Sequence, residues 1–208
     1  MQGVNDMLRK EPSQSPAVTA PKKGAQQKVA AARHPINAKH TTLWLTTTAM
    51  FMAATVALCS FSIPVPGGHL YLCDVAICMA AVLLDPLGAF LVGGVGSFLG
   101  DLLFYPLPMF VSLVSHGVQA VIISVFAHYV MKKHPLASST IGTVIGGVLM
   151  VVGYSLGRAF LYATPEYAWL KLPYEILQAA LGAALALLLC FRGGLRKLYA
   201  KLVARAKG

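Results

Sequence analysis

Apolar residues fall into six blocks along this chain, at 43–63, 70–84, 87–105, 109–131, 141–162 and 174–191. A helix that crosses the hydrocarbon of a membrane needs about 20 such residues, and five of the blocks are long enough. Prolines and basic residues separate them. Pro64 and Pro66 close the first, Pro106 and Pro108 the third, and Lys132, Lys133, His134 and Pro135 the fourth. The second block is short, and Asp85–Pro86 breaks it, because the residue before a proline is pushed out of helical geometry. The pattern predicts six transmembrane helices. The alternative is one bent helix over 70–105, which leaves five. Pro64-Val-Pro-Gly-Gly68 predicts a non-helical loop between the first two spans.

Composition agrees with lipid as the main solvent. Of 208 residues, 57% are apolar and 12% charged, with mean hydropathy +0.67, where soluble domains carry about 25% charged residues. The expected class is an all-α integral membrane protein. Residues 1–40 differ: proline, serine, glutamine, alanine and lysine dominate without periodicity, which predicts a disordered basic tail. The first apolar block starts too late for a signal peptide and is read as a retained span. The expected domains are therefore the 1–40 tail, a 41–192 membrane domain and a second basic tail at 193–208.

Charge sets the expected orientation. Seven Lys and Arg residues precede the first block, six follow the last, and Lys132 and Lys133 sit in the middle. Six crossings put all fifteen on one side, the cytoplasmic one, as the positive-inside tendency requires; five would split the tails. Both termini are expected in the cytoplasm, in a bacterial cell membrane. The net charge of +10 lies in the tails, where anionic lipid head groups are the nearer partner, so no nucleic-acid partner is expected. Cys59, Cys73, Cys78 and Cys190 form no CxxC pair and stand at no metal-ligand spacing with a histidine; no disulfide framework, metal or cofactor is expected. H-E-x-x-H and a phosphate loop are missing, so the chain is not read as an enzyme or an ATPase.

Ionisable groups inside membranes are costly, at about 2.5–3.5 kcal/mol each on insertion scales, so their depth is informative. In the six-span topology Asp74, Asp101, His116, Arg158 and Glu175 all fall in the outer half. Helical spacing aligns each with polar or aromatic neighbours: Ser97, Asp101 and Tyr105; Ser112, His116 and Gln119; Tyr154, Arg158 and Tyr162; Glu175, Gln178 and Gly182. The expected substrate-binding residues are Asp74, Asp101, Tyr105, His116, Tyr154, Arg158, Glu175 and Gln178, forming an outward-facing pocket with aromatic walls. Arg158 is expected to pair with Asp101 or Glu175, since an unpaired charge there is expensive. Tyrosines at these depths also fit an interfacial belt. Ala49, Ala53 and Ala57 recur every fourth residue on one face of the first span. Small residues at this spacing let helices approach closely in lipid, either within this chain or against another subunit. The third block's glycines predict tight packing or a cavity-lining backbone.

Several segments resemble the substrate-binding (S) components of energy-coupling factor (ECF) vitamin transporters. They are Gly67-Gly68-His-Leu-Tyr-Leu-Cys-Asp74, Leu84-Asp-Pro86-Leu-Gly, Gly93-Gly94-Val-Gly96-Ser97 with Asp101, Met150-Val-Val-Gly-Tyr154, and Leu172-Pro173-Tyr-Glu-Ile-Leu-Gln178. The resemblance spans 43–191 and leaves out the tails. It implies a six-helix fold and a ligand site near the outer surface, with the 64–73 loop as part of a lid. It also implies two kinds of partner: a transmembrane scaffold subunit that docks on the alanine stripe and, through it, two ATPase subunits. His116, Arg158 and Glu175 depart from residues often found in relatives, so the vitamin does not carry over. Pocket chemistry points to a pyridoxine-, hydroxymethylpyrimidine- or thiazole-like ring, with an anionic precursor also allowed. A stand-alone transporter or channel is the alternative, and an intramembrane enzyme or assembly factor is a third.

Overall fold

A computed structural model of the chain describes residues 38–66 and 68–207. The expected 1–40 tail lies outside the described residues except for 38–40, which open the first helix. The elements are α1 (Ala38–Ser60), β1 (Ser62–Val65), β2 (Gly68–Tyr71), α2 (Cys73–Leu83), α3 (Pro86–Phe104), α4 (Met109–Val130), α5 (Pro135–Tyr162), α6 (Pro165–Arg192) and α7 (Leu195–Lys207). Among the described residues, five helices are long and apolar enough to cross a membrane: α1 over Thr41–Ser60, and α3 to α6. Their outward faces are apolar; Leu103, Phe110, Val148, Phe160 and Trp169 are all exposed, as side chains facing hydrocarbon should be.

The second block folds differently from its prediction. Leu70 and Tyr71, expected to open the second span, pair instead in an antiparallel hairpin, Tyr71 opposite Ser62 and Leu70 opposite Ile63, and the hairpin continues into the expected loop with Pro64 opposite His69. Helix starts only at Cys73 and runs 11 residues, about 16 Å at 1.5 Å per residue. α2 is buried on nearly all sides and forms the centre of the bundle, packed on α1, α4 and α6. Leu84 and Asp85 are both extended, so 70–105 is not one bent helix. Asp85 accepts a hydrogen bond from Trp44 Nε1 at 2.5 Å and caps α3 through Gly88 N at 3.3 Å. The end of α2 thus returns to the level at which α1 begins.

Besides α1, which starts at Ala38, two more helices begin earlier than hydropathy indicates. α5 starts at Pro135 and α6 at Pro165, both in the first turn, where proline's missing N–H costs nothing. The polar start of α5 is absorbed locally: Thr140 Oγ1 donates to Leu136 O at 2.9 Å, and Ser138 Oγ donates to Phe126 O. α6 continues through Pro173, which hydropathy reads as a boundary.

The glycines of α3 serve close packing. A Cβ on Gly93 would stand 2.7 Å from Ala120 Cβ of α4, and one on Gly100 2.6 Å from Cys59 Sγ of α1. All four cysteines are free and buried. At the end opposite the hairpin, α7 folds back so that Tyr199 packs on the core, while Arg196 lies over the Phe191 ring at 5.4 Å. Burial, with Asp85 nearby, raises the Tyr199 phenol above its ordinary pKa.

Candidate functional site

A cavity of about 350 Å³ opens at the hairpin end of the bundle. α3, α5 and α6 wall it, Pro108 just before α4 adds to the lining, and β2 covers one side. Each helix brings its polar group by helical spacing from an otherwise apolar run. α3 brings Asp101, 7% exposed, whose carboxylate accepts from Ser112 Oγ of α4; Tyr154 of α5 donates its hydroxyl to the same Ser112 oxygen. Three helices therefore meet in one hydrogen-bonded chain. One turn along α5, Arg158 Nη1 donates to Glu175 Oε1 of α6 in a buried ion pair. Ser155 Oγ reaches Glu175 Oε2 at 3.5 Å, and the guanidinium lies 5.7 Å from the Tyr162 ring centroid. Here α5 widens: Ala163 N reaches back five residues to Arg158 O at 3.0 Å, a turn frequent at functional sites.

A second polar layer lies beneath. Asp74, fully buried, accepts from Gln119 Nε2 at 3.1 Å and Gln178 Nε2 at 2.6 Å. His116 Nδ1 is 2.8 Å from Gln119 Oε1 and 3.6 Å from Asp74 Oδ1. Gln178 Oε1 accepts from Tyr71 N at 3.0 Å, so one side chain ties the hairpin to the floor. Gly182 makes this layer possible: a Cβ there would stand 2.5 Å from Asp74 Cβ. Cys73, Asp74 and His116 bring potential metal donors within 4.8 Å of one another, but the two glutamines already occupy Asp74 and one holds His116.

Of the eight expected binding residues, Asp101, Tyr105, Tyr154, Arg158, Glu175 and Gln178 line the cavity. Asp74 and His116 do not; they form the layer below. Arg158 pairs with Glu175 and not with Asp101. The sequence reading missed Lys171, which lines the cavity at 3% exposure and donates from Nζ to the His69 carbonyl. With α6 read as starting at 174, Lys171 fell outside the helix; extended back through Pro173, residues 171, 175 and 178 share one face by i, i+4, i+7 spacing. His69 and Tyr167 also line the wall, and the His69 ring contacts Tyr71 and Tyr105 at 6.2 and 6.0 Å. Tyr71, in the hairpin, keeps its phenol neutral: burial, then the Asp101 charge, raises its pKa.

The alanine stripe lies elsewhere. Ala49, Ala53 and Ala57 are all exposed, while Thr48, Thr55 and Cys59 of the same helix face the bundle. The stripe therefore does not pack against this chain's own helices. α1 is also the least buried of the five long helices, at 17% against 28–50% for the others.

Long apolar helices around a polar, aromatic-walled cavity define a multi-pass membrane protein built to hold a small solute. The chain belongs to the ECF-type riboflavin transporter S component family, whose model matches residues 39–197. It is thus a substrate-binding transporter subunit, of a family that is not an enzyme family and that works with an ECF scaffold and ATPase module. A protein of Pyrococcus woesei described as "Uncharacterized protein in gap 3'region" is 35% identical over 132 residues, covering 62% of this chain and 86% of the relative.

Proposed function

We propose that the chain captures a small water-soluble vitamin or vitamin precursor outside the cell and delivers it inward together with scaffold and ATPase subunits. In this reading the chain crosses the membrane six times, with α2 as the short second crossing. Both termini are cytoplasmic, in a bacterial cell membrane, and the cavity opens outward under the hairpin lid. The level return at Trp44–Asp85 supports an even number of passes. The charge bias of the tails supports the orientation.

The observation that carries the function is the pair of polar systems in one aromatic cavity: Asp101–Ser112–Tyr154 and Arg158–Glu175. A planar heterocycle can stack on Tyr105, Tyr154 or Tyr162 while its ring substituents meet Asp101, Glu175 and Gln178. Buried polar groups aimed at a ligand reject analogues that leave them unpaired. Asp74 and His116 act from below by fixing Gln178. The ligand is a pyridoxine-, hydroxymethylpyrimidine- or thiazole-like ring. Riboflavin is the second reading, favoured by the family's own description. Ala49, Ala53 and Ala57 are the docking face for the scaffold subunit, which their exposure on α1 favours.

Small molecules that co-purify with the detergent-solubilised protein, identified by mass spectrometry and then titrated, test this. A heterocycle binds tightly, and Arg158→Ala or Glu175→Ala weakens it at least about tenfold. Unchanged binding in both variants removes the site. Solute movement in liposomes without ATP or partners favours the stand-alone transporter instead.

A further inference from the structure

Lys171 is a cation that lines the cavity without an ion-pair partner among the described residues. It is 3% exposed. Its Nζ donates to the His69 carbonyl, and its methylenes pass the Gly68 backbone, where a Cβ would meet them at 3.8 Å. An ammonium has three donors, and this contact uses one. Among the described residues, no carboxylate lies within ion-pair distance of Lys171. The ion pairs there are Arg158 with Glu175 and His116 with Asp74. Glu175, one turn along α6, is taken: Arg158 holds Oε1, and Ser155 is at 3.5 Å from Oε2. Asp101 belongs to α3 and is held by Ser112.

A buried cation inside a membrane protein is expensive unless something completes it. A carbonyl dipole is a partial answer, and it could be met equally well by a neutral amide. What a lysine adds at this position is charge, facing an open volume of ligand size. We infer that Lys171 recognises an anionic group, a carboxylate or a phosphate, on the ligand of this cavity. The inference rests on the reading of the cavity as the ligand site and narrows its chemistry. The anion lies at the wall made by α6 and the hairpin, and the ring extends toward Asp101 and Tyr154. Asp101, a carboxylate on another wall, favours ligand hydrogen-bond donors and keeps a second anion away. Because the same ammonium also holds the His69 carbonyl, the anion sits beside the hairpin's attachment to α6. Neither riboflavin nor pyridoxine carries a carboxylate or a phosphate, so on either ligand reading the inference points to a phosphorylated or carboxylate-bearing form of the ring.

The test uses the full chain in detergent, as wild type, Lys171→Arg and Lys171→Gln. Binding is measured for pairs that differ by an anionic group: pyridoxine and pyridoxine 5′-phosphate, nicotinamide and nicotinate, riboflavin and riboflavin 5′-phosphate. The charged member of the pair that binds is expected to be at least about tenfold tighter. Lys171→Arg keeps that ratio and Lys171→Gln brings it near one. Glutamine can still donate to the His69 carbonyl, so a merely structural latch leaves the ratio unmoved. A neutral member binding as tightly as its charged partner, or a ratio that survives Lys171→Gln, overturns the inference while leaving a vitamin-binding site intact. Where no pair binds, thermal unfolding with inorganic phosphate and with acetate, at constant ionic strength, decides. A saturable rise in Tm that Lys171→Gln abolishes supports the anion site and counts against the heterocycle reading; no rise in the wild type overturns the inference. If Lys171→Gln does not fold, Lys171→Met serves for the same measurements.

Discussion

The Arg158 guanidinium and the Glu175 carboxylate, on α5 and α6, form an ion pair whose side chains are 10% and 4% exposed. Breaking such a pair from one side strands the other charge, which costs about 3–5 kcal/mol. Glu175→Ala should therefore lower stability by roughly that amount as well as weaken ligand binding. Arg158→Met combined with Glu175→Leu removes both charges and should recover most of the lost stability without recovering binding. Thermal or denaturant unfolding of the single and double variants, beside ligand titration, separates the two effects. A double variant that binds as the wild type does would show that the pair only holds helices together.

Gly182 sets how closely α6 approaches α2. A Cβ at 182 would lie 2.5 Å from Asp74 Cβ and 3.1 Å from its main-chain carbon, and backbone cannot step aside as a flexible side chain can. Gly182→Ala should push the helices apart at a cost of about 1–3 kcal/mol. It should also loosen the Gln178 bonds to Asp74 and Tyr71 and so weaken ligand binding. Gly147→Ala is the control: its Cβ would meet Ala179 Cβ at 3.5 Å, an ordinary contact, and stability should hold. Equal losses in both variants would contradict the close-approach account.

Much of this was legible because lipid leaves a strong pattern. Apolar runs of about 20 residues located α3 and α4 closely and α1 to within five residues, and the rarity of charge made Asp101, Arg158 and Glu175 conspicuous. Two things were not legible. Hydropathy carries no signal for which end of an apolar run leaves the helix, so Leu70 and Tyr71 read as span although they pair with Ile63 and Ser62. Proline reads as a break whether it starts a helix or sits within one, so Pro173 hid the first turns of α6 and Lys171 with them. Depth alone also could not tell a cavity wall from the layer beneath. Asp74 and His116 share the expected outer half with the pocket residues but point at Gln119.

Topology makes a prediction that needs no ligand. Ile63, in the hairpin, is 53% exposed, and Lys133, between α4 and α5, is exposed at the other end. The four native cysteines are buried and should react slowly with a membrane-impermeant maleimide in intact cells. Ile63→Cys should label from outside, and Lys133→Cys only after the cells are opened. Labelling of Lys133→Cys in intact cells would reverse the orientation and turn the cavity toward the cytoplasm.

The alanine stripe separates docking from ligand capture. Ala49, Ala53 and Ala57 face away from the bundle, so a larger side chain there meets none of this chain's own core. Ala53→Leu should leave folding and ligand affinity within about 0.5 kcal/mol of the wild type, as for other surface substitutions. A helix that docks through small residues depends on backbone-to-backbone approach, and leucine's extra carbons hold the partner off. Vitamin uptake and co-purification of scaffold and ATPase subunits should therefore both fall sharply, while the isolated subunit still binds its ligand. The two measurements belong together, because uptake alone also fails when binding fails. Retained uptake with retained co-purification would move the docking face off α1, and loss of ligand binding in this variant would mean that α1 reaches the cavity through contacts other than those described.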